Sequence, residues 1–333
     1  MFKFRMLVSA IALSGSMSVM AADSLPTTAP APTDNPTTAE KVVLGKMLYH
    51  DPRLSSTGTV ACASCHNTML GGEDNRPNSM GVNGQTGGRS APTVWNSAFN
   101  KVQFWDGRAD SLEAQAAGPV TNPIEMGMKS WDDVVARLKT IEGYQHAFEK
   151  AFGKDSISKD NATKAIAAYE RTLITPNSPY DKYVNGDKEA LSKQQIRGMN
   201  KAVELGCTSC HSGPAFNGPG VFQKFPVTSN GYFEAQYHFT KDKGLAEVTK
   251  KASDEHLWKV PTLRNIALTA PYMHNGSVKT LDKAVWLMAK LQLNLELSDA
   301  DVADIVAFLN GLTGEFPAQS MPQLPGTPGS SFN

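Results

Sequence analysis

Cys62-Ala63-Ser64-Cys65-His66 returns in the second half of the chain as Cys207-Thr208-Ser209-Cys210-His211, and these two runs hold all four cysteines. A C-x-x-C-H run is the attachment signature of a c-type haem. Two thiols two residues apart can each form a thioether to one porphyrin edge, and the histidine that follows offers an imidazole to the iron from one face. Two Cys-x-x-Cys pairs could instead hold one zinc ion, or each could act as a thiol–disulfide redox pair. Neither alternative requires a histidine directly after both pairs. The expectation is therefore two covalent haem c groups, with Cys62, Cys65, Cys207 and Cys210 as attachment points and His66 and His211 as axial ligands.

Outward from these runs, the chain reads as an exported, two-part protein. Lys3 and Arg5, the apolar stretch Met6 to Leu13, and Val19-Met20-Ala21 form a signal segment over 1–21 with cleavage after Ala21. That stretch is too short to span a bilayer, and no later apolar run is longer, so no membrane span is expected. Haem attachment and export agree on the periplasm. The 32 basic and 32 acidic residues balance, which argues against nucleic acid as a partner. About 310 residues beyond Ala21 exceed the usual single-domain size, and one haem run falls in each half. The expected fold class is mainly α, as two cytochrome c-like domains with one covalent haem each.

Residues 22–37, rich in Pro, Thr and Ala, read as a flexible leader. The N-terminal domain is expected over 38–175, the C-terminal domain over 176–320, and an extended Pro-rich tail over 321–333. Helical periodicity appears from Thr38 to Asp51, Ser111 to Ala117, Trp131 to Leu138, Tyr144 to Phe152, Asn161 to Leu173, Ser192 to Leu205, Leu281 to Leu291 and Ser298 to Leu309. Gly118-Pro119 and Asn122-Pro123 break the second of these and leave Glu125-Met126 on a loop. Asn161 and Asp181 read as helix starts. The Gly-, Asn- and Ser-rich stretch from Gly71 to Arg89 is long enough to suggest that it serves a site.

Three further stretches carry a resemblance. Leu48-Tyr49-His50-Asp51-Pro52-Arg53-Leu54-Ser55, Gln103-Phe104-Trp105-Asp106-Gly107-Arg108 and Leu263-Arg264-Asn265-Ile266-Ala267-Leu268-Thr269-Ala270-Pro271-Tyr272, with the two haem runs, make the chain resemble the bacterial dihaem cytochrome c peroxidases from about Ala39 to Phe316. The resemblance implies reduction of hydrogen peroxide at the N-terminal haem. Electrons would come from a small periplasmic cytochrome c or copper protein and enter at a high-potential C-terminal haem. It implies a homodimer. It matches Met288 to the second ligand of the C-terminal iron, Gln115 and Glu125 to the catalytic pair, and Trp105 to the tryptophan between the haems. It also implies a calcium ion, with Thr269 and Pro271 as backbone donors.

Taken alone, Met288 lies on an amphipathic helix where methionine more often packs, Glu125 reads as an exposed loop acid, and Trp105 reads as a packed aromatic. Two departures from the family stand out. Ser90 occupies the place of the calcium-binding asparagine. Val82 stands where many members carry a histidine that caps the oxidised peroxidatic iron, and no histidine lies between His66 and His146. His274 falls in the family's Pro-Tyr-x-His segment, near the second haem. His50, His146, His238 and His256 read as surface or structural residues. Two other functions remain open at this point: a dihaem oxidase acting on a partner protein, in which tyrosine would replace Met288, and a non-enzymatic dihaem electron carrier.

Overall fold

The computed structural model describes residues 23–218, 220 and 222–326. The expected signal segment and the end of the expected tail lie outside them. The described chain is mainly helical, with thirteen α-helices among these residues.

In the first half, α1 (Ala39–His50) begins at Thr38, whose hydroxyl accepts from the Lys41 N–H, and ends at Asp51. The short α2 (Cys62–Cys65) is the first haem run itself. It is followed by α3 (Leu112–Thr121), α4 (Trp131–Lys139), α5 (Glu142–Phe152) and α6 (Lys159–Glu170). One apolar core joins them, including Leu44, Leu48 and Tyr49 of α1, Leu138 of α4, Tyr144 and Phe148 of α5 and Ile166 and Tyr169 of α6.

The second half comprises α7 (Pro179–Val184), α8 (Lys193–Glu204), the second haem run as α9 (Cys207–Cys210), α10 (Gly231–Tyr237), α11 (Ala246–Thr249), α12 (Leu281–Leu293) and α13 (Asp299–Asn310). Its two apolar clusters draw their buried members from residues 180–312.

Each half is closed by a helix crossing made possible by a missing side chain. A Cβ on Gly45 of α1 would lie 1.9 Å from the Ala165 carbonyl oxygen of α6, and one on Gly198 of α8 would lie 1.8 Å from the Asp304 carbonyl oxygen of α13. In both places backbone, not a movable side chain, fills the space. Gly45→Ala and Gly198→Ala are each expected to destabilise the fold by about 1–3 kcal/mol or more, because the helices must separate. A denaturant midpoint that does not move would contradict the crossing.

Four local readings change. The helix at Ser111 does not stop at Gly118-Pro119 but continues one turn to Thr121. The turn beyond it is closed by the Asn122 and Met126 N–H groups, both donating to the Pro119 carbonyl. The starts expected at Asn161 and Asp181 are instead capped by Ser158 and Ser178, with Asp181 completing a capping box from the third helical position. A short antiparallel ribbon, β1 (Phe222–Lys224) with β2 (Leu257–Lys259), joins two stretches of the second half. Residues 23–37 form no helix or strand, yet this expected flexible leader is tied down. The Leu25 N–H donates to Asp181 (2.9 Å), and the buried Asn35 amide donates to Glu113 (2.6 Å) and to the Lys164 carbonyl (3.0 Å). Composition alone cannot show these long-range contacts.

Candidate functional site: two haem runs and their facing residues

Both haem runs form one helical turn that ends on the histidine, whose N–H donates to the carbonyl of the first cysteine: His66 to Cys62 at 2.9 Å and His211 to Cys207 at 3.0 Å. The imidazoles are then fixed from behind. His66 Nδ1 lies 3.0 Å from the Pro92 carbonyl oxygen and His211 Nδ1 lies 3.1 Å from that of Pro261. A carbonyl can only accept, so each Nδ1 carries the proton and each Nε2 keeps its lone pair for a metal. Burial pushes both histidines below their ordinary pKa, which favours the neutral, ligating form.

The same burial argues against a thiol–disulfide catalyst. Such a pair needs a lowered thiol pKa, whereas burial pushes Cys62 up to about 12 and raises Cys65 and Cys207. A single zinc site built from both pairs is not formed either. Among the described residues, no three His, Cys, Asp or Glu side chains converge on a possible metal position.

The second run opens onto a largely apolar cavity lined by Cys207, Cys210, His211 and by Met288 of α12. The residues fit a haem: two thiols, an oriented imidazole and a thioether share one apolar space. Trp105 reaches this cavity from the first half, its indole N–H donating to the Ser90 carbonyl at 2.9 Å.

At the first run, Glu125 is half-buried rather than exposed, because the glycine-rich loop folds over it. The Val82 N–H donates to the Glu125 carbonyl at 2.9 Å, and Val82 itself is buried in the apolar core. The Glu125 carboxylate accepts from the Asn122 amide at 2.7 Å. Burial raises its pKa, while Arg108 and Asn122 pull it down. Arg108 covers the Phe104 ring at 3.5 Å and is held by Asp106. Gln115 is half-buried on α3, with no side-chain hydrogen bond to a described residue. Thr269, Pro271 and Ser90 border the second cavity. They offer a calcium ion two neutral carbonyls and a hydroxyl, with no carboxylate among them, a weak donor set for that cation.

An internal repeat, not among the sequence expectations, relates the surroundings of the two runs. Residues 90–121 and 259–290 share one register: Ala91-Pro92-Thr93-Val94-Trp95-Asn96 runs parallel to Val260-Pro261-Thr262-Leu263-Arg264-Asn265. Asn96 and Asn265 are both left-handed (φ 64° and 59°), and each starts a 3-10 turn. Both donate a side-chain N–H to the Thr175 hydroxyl at 2.8 Å. Bridges join Gln103 with Ala109 and Tyr272 with Val278. In this register Pro92 matches Pro261, Trp105 matches His274, and Met288 matches Pro119. Proline offers iron no donor atom. The halves also exchange hydrogen bonds reciprocally, Ser90 N–H to the His274 carbonyl (2.8 Å) and Lys259 N–H to the Trp105 carbonyl (2.9 Å). The A-P-T and V-P-T tripeptides were the signal that could have revealed Pro119.

Two C-x-x-C-H turns and one duplicated frame, in which Met288 of the second copy is matched in register by Pro119 of the first, are the arrangement of a protein with two haem sites. The family model for di-haem cytochrome c peroxidase matches residues 39–189. Cytochrome c peroxidase Ccp of Escherichia coli is 47% identical over 287 residues, covering 86% of this chain; the chain in turn spans 61% of that protein. Cytochrome c551 peroxidase of Nitrosomonas europaea is 43% identical over 331 residues, with 98% of this chain and 96% of that protein covered. Among solved structures, a MauG-like protein associated with microbial copper homeostasis superposes with a TM-score of 0.78 at 28% identity, covering 89% of this chain and 95% of that one. The chain belongs to the di-haem cytochrome c peroxidase family, whose members are oxidoreductases acting on peroxide with two haems.

Proposed function

We propose that this chain is a periplasmic peroxidase of two cytochrome c-like halves, 38–175 and 176–320, that reduces hydrogen peroxide to water with electrons from a small cytochrome c or copper protein. The observation that carries the assignment of roles is the pairing of Met288 with Pro119 across the repeat. The haems, attached at Cys62 and Cys65 and at Cys207 and Cys210, supply the redox centres. His211 and Met288 would hold the second haem, whose part would be to pass electrons, and His66 would hold the first, where Pro119 matches Met288 in the repeat and brings no side-chain donor, so that peroxide could reach it. Each turnover takes one peroxide, two electrons and two protons to two waters.

Glu125 is the acid–base group. Its carboxylate would take a proton from one peroxide oxygen and return it to the other, helping the O–O bond to break with water leaving, while the haem would supply the electrons. Gln115, on the face of α3 that also carries Pro119, is placed to hold the peroxide by hydrogen bonding. Trp105, hydrogen-bonded to Ser90 and touching the second cavity, lies on the path between the two centres. A calcium ion at Thr269 and Pro271 would stiffen the boundary between the halves, and the family's homodimer is the expected assembly. Among the described residues no helix is long and apolar enough to cross a membrane.

The direct test of the reaction is peroxide-dependent oxidation of a reduced small cytochrome. Stoichiometric oxidation of two donor molecules per peroxide is expected; its absence would remove the activity. Val82 adds a second expectation. Valine cannot ligate iron, so the fully oxidised protein should turn over from the first mixing, with no lag that prior reduction removes. A lag abolished by pre-reduction would contradict an open resting site.

A further inference from the structure

The cavity beside Cys207, His211 and Met288 contains two basic side chains that no described residue meets with a side-chain hydrogen bond or ion pair. Lys259 of β2 is 8% exposed and His274 is 3% exposed, and both border the cavity. Lys259 makes no side-chain hydrogen bond or ion pair with any described residue. His274 is stacked on Trp258 with ring centres 4.1 Å apart, and its Nε2 is buried with no hydrogen-bond partner. Their backbones are fixed by the reciprocal hydrogen bonds between the halves, the Lys259 N–H donating to the Trp105 carbonyl and the His274 carbonyl accepting from the Ser90 N–H. The repeat-related positions in the first half are Ser90 and Trp105, neither of which carries a charge.

A lysine buried without a counter-ion is costly unless a ligand supplies one. Burial alone pushes Lys259 down to about 8, and burial likewise takes His274 to about 4 despite the nearby Asp242 carboxylate. The group this cavity would take is otherwise apolar and carries two carboxylates, the propionates of its porphyrin. Resting on the dihaem assignment above, we propose that Lys259 and His274 form the carboxylate-binding end of the second haem cavity, Lys259 as ammonium partner and His274 as hydrogen-bond partner of the propionates. Lys259 thereby raises this haem's potential. The sign follows from charge: an ammonium beside the porphyrin disfavours the extra positive charge of the oxidised iron, and Ser90 gives the first haem no such group. Both are positioning residues, remote from the bond that breaks.

The test is spectroelectrochemical titration of both haems in the holoprotein, wild type, Lys259→Met and Lys259→Arg, after counting haems per chain in each. Lys259→Met is expected to raise the oxidised-to-reduced ratio of the Met288-ligated haem about tenfold at fixed potential, a shift of about 59 mV for one electron. The first haem should not move, and Lys259→Arg should restore most of the shift. An unchanged second potential in Lys259→Met, or an equal shift in Lys259→Arg, overturns the proposal. If Lys259→Met fails to load the second haem, recovery of loading in Lys259→Arg supports the proposal and loss in both overturns it. A wild-type chain with fewer than two haems would instead refute the dihaem assignment itself.

Discussion

Glu125→Gln is expected to slow peroxide turnover by about 10²–10⁴-fold while leaving both haem spectra and the reduction of the second haem by donor unchanged. The amide keeps the size and the hydrogen-bonding reach of the carboxylate but cannot carry the proton from one peroxide oxygen to the other. The environment of Glu125 also sets a direction in pH. Its carboxyl must be ionised to act as a base, and burial raises its pKa, so activity should fall on the acid side at a pH above the ordinary glutamate range. Arg108 works in the opposite direction by favouring the ionised form. Arg108→Met should therefore move the acid limb to higher pH. Steady-state rates across pH 4–8, roughly bracketing the ordinary carboxylate and histidine ranges, read both effects. Equal rates in Glu125→Gln would remove this residue from the mechanism.

Met288→Ala is the second large effect, and it should act at the other end of the electron path. Loss of the thioether removes the ligand that favours reduced iron. The second haem's potential should fall by more than about 59 mV, the shift that changes the oxidised-to-reduced ratio tenfold, and donor-driven turnover should fall with it. The second haem should also gain the ability to bind cyanide. Unchanged ligation in Met288→Ala would return the methionine to a packing role on α12 and reopen an oxidase acting on a partner protein.

The two C-x-x-C-H runs and most of the helices were legible because each depends on local chemistry: thiol spacing, a capping serine, a 3.6-residue apolar period. The burial of Glu125, a residue the family resemblance had already named, was not, since it comes from Gly81 and Val82 folding over it from a distant loop. The continuation of α3 through Gly118-Pro119 was missed for a similar reason. Proline lacks one N–H, but its carbonyl accepts from Asn122 and Met126, and those partners lie beyond the expected break. The packing of residues 23–37 rests on Glu113, Lys164 and Asp181, far away in sequence. Pro119 was visible in principle, because the repeat that aligns it with Met288 is written in the sequence. It went unseen because the two copies share backbone geometry at Asn96 and Asn265, and at Gly107 and Gly276 (φ 65° and 61°), more than they share side chains.

On that register the proposed function treats one centre as a sealed relay and the other as an accessible reactor. Electron paramagnetic resonance of the protein when fully oxidised and when half-reduced tests this most directly. It should show one low-spin centre with histidine and methionine ligands, and a second centre without a distal protein ligand in both states. Two low-spin, six-coordinate centres in the oxidised protein, the first carrying two histidines, would contradict it.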